Sequence, residues 1–154
     1  MIQRKQSLFL LLSALLTGLT LLFPFVEFTA IDGTISIHAF EINDNNSGLL
    51  DGPVSILTMG VSIIIITVLS LISIFLYSKR LLQIRLIRYA IILKFAVIAV
   101  LVYFSYILTE TEVELLFTPK EASLFIMLAF LFDIFAIRGI RKDEALIRSV
   151  DRIR

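Results

Sequence analysis

The chain has no cysteine, no tryptophan and a single histidine, and only 18% of its residues carry charge. The absence of cysteine excludes disulfides, thiolate metal sites and thiol nucleophiles. Without tryptophan, any belt at a membrane boundary must be built from phenylalanine and tyrosine. The shortage of charge restricts the chain most. A soluble domain is ordinarily about 45–50% apolar, because polar residues must cover its surface. Here 58% of 154 residues are hydrophobic and the mean hydropathy is +0.98. Such a chain cannot wrap itself in a polar shell, so lipid is its natural solvent.

Four apolar runs organise the sequence. The first, Leu8 to Val26, is 19 residues long, interrupted by Ser13, Thr17, Gly18, Thr20 and Pro24. That is close to the ~20 residues a helix needs to cross about 30 Å of hydrocarbon. Arg4 and Lys5 resemble the basic start of a signal peptide. However, the run exceeds the usual signal core of about 7–15 residues, and no small-x-small cleavage site follows, which favours an uncleaved span. The second run, Val54 to Tyr77, is 24 residues without charge and opens after a Gly52-Pro53 turn. The third, Tyr89 to Leu108, contains Lys94, and the fourth, Pro119 to Ile137, contains Asp133. Thr118, Pro119 and Glu121 are spaced as a capping box at the start of the fourth. The expected fold is therefore a single all-α membrane domain, 1–154, a four-transmembrane-helix bundle. Its spans fall at 8–26, 54–77, 89–108 and 119–137, its outer loops at 27–53 and 109–118, and its tail at 138–154.

Charge sets the expected orientation. Twelve of the 14 basic residues lie before the first run, between the second and third, or after the fourth. The exceptions are Lys94 and Lys120. The two remaining loops carry acidic residues, among them Glu27, Asp32, Glu41, Glu110, Glu112 and Glu114. The positive-inside rule puts both termini and the 78–88 loop in the cytoplasm. Tyr77 and Tyr89 then mark the inner boundary, and Tyr103 and Tyr106 approach the outer one.

Within the first outer loop, two β-prone runs flank Asp32-Gly33, the signature of a two-residue hairpin. Phe28, Ala30, Ile35, Ile37 and Ala39 alternate with Thr29, Thr34, Ser36 and His38, giving the hairpin one apolar face. An isolated hairpin is marginal in water, so that face needs support from the membrane or the helix ends. The following NDNNSGLLDG lacks the EF-hand spacing and its bidentate glutamate, and reads as a solvated linker. Asn45-Asn46-Ser47 is a formal sequon. With no cysteine to complete a metal site, His38 reads as an ordinary surface residue.

Ionisable residues inside spans are functional hypotheses by default. Lys94 lies six residues past Arg88 and Asp133 five before Arg138, so both fall roughly 8–9 Å inside the cytoplasmic boundary. They are expected to pair across neighbouring third and fourth spans, and a structural lock is favoured over an ion pathway. In the tail, Ile137, Ile140, Ile147, Val150 and Ile153 recur at helical spacing, away from Arg138, Arg141, Lys142, Arg148 and Arg152. That pattern is a basic amphipathic helix, suited to an anionic leaflet or a partner groove. Ala14 and Gly18 provide a small-xxx-small spacing.

The opening MIQRKQSLFLLLSALLTGL and the ending RGIRKDEALIRSVDRIR resemble a family of small four-span membrane proteins from Bacteroidota, catalogued as domain of unknown function 4293. The tail carries much of the likeness, through Arg138, Ile140, Lys142, Asp143, Glu144, Arg148, Ser149, Asp151, Arg152 and Arg154. The resemblance implies a bacterial inner membrane and supplies no activity, cofactor or catalytic residue. The residues themselves contain no nucleotide motif, nucleophile constellation or metal set. The expected role is thus a non-enzymatic accessory or scaffold subunit with no cofactor. Its expected partners are the lipid bilayer and other membrane subunits or further copies, with no nucleic acid and no small-molecule substrate. A small ion or solute transporter using Lys94 and Asp133 is the alternative.

Overall fold

Pro24 decides how the first apolar run ends. Its ring excludes a helical hydrogen bond, and the chain leaves the helix a turn earlier. The computed structural model describes residues 5–29, 33–45, 54–111 and 116–151, excluding the side chains at 5, 45, 54, 55, 108, 110, 111 and 146–151. Helix α1 (Lys5–Leu19) closes with i→i+3 bonds from Leu21 to Gly18 and from Leu22 to Leu19. Then follow β1 (Val26–Thr29), β2 (Thr34–Ile37), β3 (Glu41–Asn45), β4 (Val54–Ser55), α2 (Leu57–Phe75), α3 (Arg80–Thr111), β5 (Leu116–Pro119) and α4 (Glu121–Asp151).

The strands form one antiparallel sheet in the order β4-β3-β2-β1-β5. This corrects the expectation of an isolated hairpin: both loops contribute, and β5 from the second pairs with β1 from the first. Within the described residues β1 pairs with β2 up to Thr29–Thr34, a register that does not centre the turn on Asp32-Gly33 as expected. Asp32 itself lies outside the described residues, as do Gly52-Pro53, most of the NDNNSGLLDG linker, and Glu112 and Glu114. The apolar alternation is realised as burial of Val26, Phe28, Ile35, Ile37, Ala39 and Ile42. Strand burial of this kind needs a surface opposite, which Ile56, Met59 and Ile63 of the α2 end and Ala122 and Ile126 of α4 supply. Phe28 and Phe117 meet edge to face across β1 and β5, centroids 5.6 Å apart.

The sheet joins the C-terminal ends of α1 and α3 to the N-terminal ends of α2 and α4. Around the bundle, α1 packs on α4 and α2, and α3 packs on α2 and α4. A second cluster, built on Leu10, Ile84, Ile87, Ala136 and Ile140, fills the opposite, basic end. Elsewhere the helices turn apolar side chains outward, including Leu15, Ile65, Ile92, Phe95 and Met127. Soluble monomers rarely expose such continuous apolar surface. Three helices are long and apolar enough to cross a membrane: Leu57–Phe75, Arg80–Ile107 and Glu121–Ala145. The molecule is a membrane protein.

Three boundaries differ from expectation. The 15 residues of α1 span about 22 Å at 1.5 Å each, less than the predicted 8–26 helix, because Val26 belongs to β1. The basic 78–88 loop is mostly the first turns of α3, and the expected separate tail helix is the unbroken end of the 31-residue α4. Finally, Thr118 and Pro119 are strand residues and not a capping box. The Thr118 hydroxyl donates to the Glu27 carbonyl at 2.8 Å, so cross-strand pairing takes the group that a helix cap would have used.

Glycine is required where α2 meets the β2–β3 connection. A Cβ at Gly60 would collide with the Phe40 ring and lie 2.9 Å from the Ala39 carbonyl oxygen. At Gly18 it would meet only Thr67 Cγ2, at 3.8 Å, so the small-xxx-small spacing of α1 is not a forced close approach. Gly60→Ala is expected to cost about 1–3 kcal/mol through overpacking. Gly18→Ala is expected to be neutral or stabilising, since alanine suits a helix better. Thermal unfolding of the two variants in detergent measures the contrast.

Candidate functional site

Helices in lipid satisfy their own backbones, so a charged side chain between them must find its partner among other side chains. Lys94 projects from α3 into the bundle and is fully buried. Its Nζ lies 2.6 Å from Asp133 Oδ2 on α4 and donates at 2.9 Å to Ser13 Oγ on α1. Asp133 and Ser13 are equally inaccessible, at 0% exposure. One ammonium therefore ties three helices together. An unpaired cation there would bear the full desolvation penalty, which a bonded carboxylate largely offsets. The other carboxylate oxygen, Oδ1, is buried without a hydrogen bond of good geometry.

The sequence marked Lys94 and Asp133 but treated Ser13 only as an interruption of an apolar run. Its signal was periodic: Ser13 and Thr17 of α1 and Thr20 just past its end recur at helical spacing, and all three are buried. The Thr17 hydroxyl donates to the Ser13 carbonyl and the Thr20 hydroxyl to the Thr17 carbonyl, each at 2.7 Å. On α2, the Ser73 hydroxyl donates to the Leu69 carbonyl, whereas the Ser70 hydroxyl is buried and unpartnered. Gln83 Nε2 crosses from α3 to the Ser73 carbonyl at 2.9 Å. The interior is thus more polar than four apolar runs suggested. Most of these hydroxyls bond back to their own helix, which removes their cost without building a chain between helices.

The basic residues predicted for docking follow a different rule. Arg138, Arg141 and Lys142 are exposed near the end of α4; the Arg148 side chain and Arg152 lie outside the described residues. Nearby, Gln6 Nε2 donates to Asp143 Oδ2, holding the start of α1 against α4. At the opposite end Lys120 pairs with Glu27 of β1. The Glu27 carboxylate, first by its hydrogen bond and then by charge, holds the Lys120 amine above its ordinary pKa. That contact is present at neutral pH and is lost as pH rises through the raised value. His38 is half-buried between β2 and β3, its backbone N–H donating to the Glu41 carbonyl at 2.9 Å. Among the described residues, no three His, Cys, Asp or Glu side chains gather as metal ligands.

Fold and site together define a helical membrane bundle capped at one end by a sheet and braced inside by an ion pair. The family model described as Domain of unknown function (DUF4293) matches residues 2–153, and the chain belongs to that family. Comparison with curated proteins finds no match.

If the ion pair is a lock, its two halves must be strongly coupled. Asp133→Asn or Lys94→Met alone strands the remaining partner and is expected to destabilise by about 3–5 kcal/mol, seen as a lower yield of monodisperse protein. Lys94→Met combined with Asp133→Leu removes both charges and is expected to recover most of that loss.

Proposed function

We propose that this chain is a four-span protein of a bacterial inner membrane with both termini cytoplasmic. In this reading it serves as a non-enzymatic accessory or scaffold subunit of a membrane assembly. The observation that carries the reading is the double engagement of Lys94. Its ammonium is fully buried and engaged by residues of two other helices, as in a static brace, and the accessible polar surface is left at the two ends. The sheet is one of those surfaces. The exposed Arg138, Arg141 and Lys142 belong to the other.

The four-span count rests on α1. Its helix is short, but the apolar turn after it extends the crossing to the sheet, and α1 packs between α2 and α4. Both loops supply strands to one sheet, which requires both on the same side of the bilayer. The basic segments then share the other side, the cytoplasmic one by the positive-inside rule. Transport of a small ion or solute is the second reading. It is favoured by two buried oxygens without hydrogen-bond partners, Asp133 Oδ1 and Ser70 Oγ.

The absence of cysteine makes topology directly measurable. Single cysteines at Gln3 and Ser78 are expected to resist an impermeant maleimide in intact spheroplasts, while one at Ser47 reacts. A reactive Gln3→Cys would leave three crossings and overturn the four-span reading. For the scaffold role, purification in mild detergent is expected to recover a stoichiometric membrane partner that Arg141→Glu with Lys142→Glu releases. Recovery of the chain alone would sink that role. Proteoliposome ion flux abolished by Lys94→Met combined with Asp133→Leu, with folding intact, would favour transport instead.

A further inference from the structure

One face of α3 is exposed along its whole described length, and its chemistry changes in a fixed order. Arg85, Arg88 and Tyr89 come first, and with Ile92 they line a cleft of about 320 Å³. Phe95, Ala96 and Ala99 continue the same exposed face beyond it. Among the described residues, neither Arg85 nor Arg88 has a carboxylate partner, and no acidic side chain lines this cleft. Arg88 also borders an adjoining cleft between α3 and α4, where Arg141 adds a further guanidinium beside Glu144.

The spacing matches the depth profile of a leaflet. From Arg85 to Ile92 is seven helical positions, roughly 10 Å along the axis. The headgroup layer is about 5–8 Å thick, so arginines at its level put Ile92 at the start of the hydrocarbon. Tyrosine belongs at the boundary between the two, where its ring is apolar and its hydroxyl is wet. Below it, Ala96 and Ala99 beside the Phe95 ring leave a shallow seat. Guanidinium forks match phosphate oxygens in two-point geometry, and two arginines one turn apart, without a carboxylate partner among the described residues, favour a ligand with negative charge.

We propose that this face is a binding site for one anionic phospholipid. Arg85 and Arg88 hold its phosphodiester, Tyr89 donates to the headgroup, and an acyl chain runs over Ile92 and the Ala96–Ala99 seat. The occupant is a lipid rather than a free phosphate, because the apolar seat continues directly from the basic cleft on one helix face. The site depends on the helices lying in a bilayer and not on the accessory role, so failure to recover a protein partner leaves it standing.

Native mass spectrometry of the full chain in detergent, titrated with phosphatidylglycerol or phosphatidylcholine, tests the site. One phosphatidylglycerol is expected to be retained in preference to phosphatidylcholine. R85Q and R88Q are each expected to weaken it about fivefold. K120Q, the same change of charge at the sheet end, is expected to leave it unchanged. A96W keeps both arginines and fills the seat, and is expected to weaken phosphatidylglycerol as well. Each variant is compared at unchanged thermal stability. Equal retention of the two lipids, full affinity in the double R85Q/R88Q variant and in A96W, or displacement of the lipid by inorganic phosphate alone would each overturn the proposal.

Discussion

A lysine buried in the interior of a lipid-solvated bundle is tolerable only if its counter-charge is always present. Lys94 meets that condition through Asp133 on α4, and Ser13 on α1 occupies a second of its three donors. The requirement reaches beyond the pair. It fixes the rotation of α3, since Lys94 must face inward, and the rotation of α4 by the same argument. On α4, Asp133 falls between Ile126 of the sheet-side cluster and Ala136 of the basic-side cluster, while on α1 Ser13 follows Leu10. Apolar packing is nearly indifferent to a helix turning about its axis when lipid is as apolar as the neighbouring helices. A charge is not indifferent, and one misplaced turn would expose it to hydrocarbon.

The sheet solves a different problem, that of backbone groups in the connections. Loops at a membrane boundary cannot leave their N–H and C=O groups facing hydrocarbon. Here the two connections pair with each other, and further backbone bonds close the joints to the helices. Ile56 N–H bonds the Phe40 carbonyl at 2.8 Å, and Lys120 N–H bonds the Phe25 carbonyl at 2.9 Å. The Phe40 ring against Gly60 and the Glu27–Lys120 contact then hold the sheet to the helices. Such a cap ties the helix ends together.

The basic end is built on the opposite logic. Arg85, Arg88, Arg138, Arg141 and Lys142 are exposed there. Arg138, Arg141 and Lys142 belong to the unbroken α4 and not to a separate tail helix. Arg85 and Arg88 are exposed near the start of α3. The two helices thereby offer distinct basic surfaces.

Composition and charge placement were enough to determine a membrane protein with four apolar segments, and the depth match was enough to nominate Lys94 and Asp133. Those conclusions follow from solvation energies, which are summed over local residues and need no knowledge of neighbours. What the sequence could not determine alone depended on partners distant in the chain. β1 and β5 are separated by a long stretch of sequence, and neither Leu116 to Pro119 nor its pairing is visible without the helices that bring them together. The same holds for Thr118, whose hydroxyl serves a cross-strand bond where local rules assigned it to a helix cap. Ser13 became part of the site only because α1 packs on α4, close enough for its hydroxyl to meet an amine 81 residues away. Hydrophobicity is a local property, whereas hydrogen-bond partnership is a tertiary one, and that difference divides what could be read from the chain from what only the folded bundle decided.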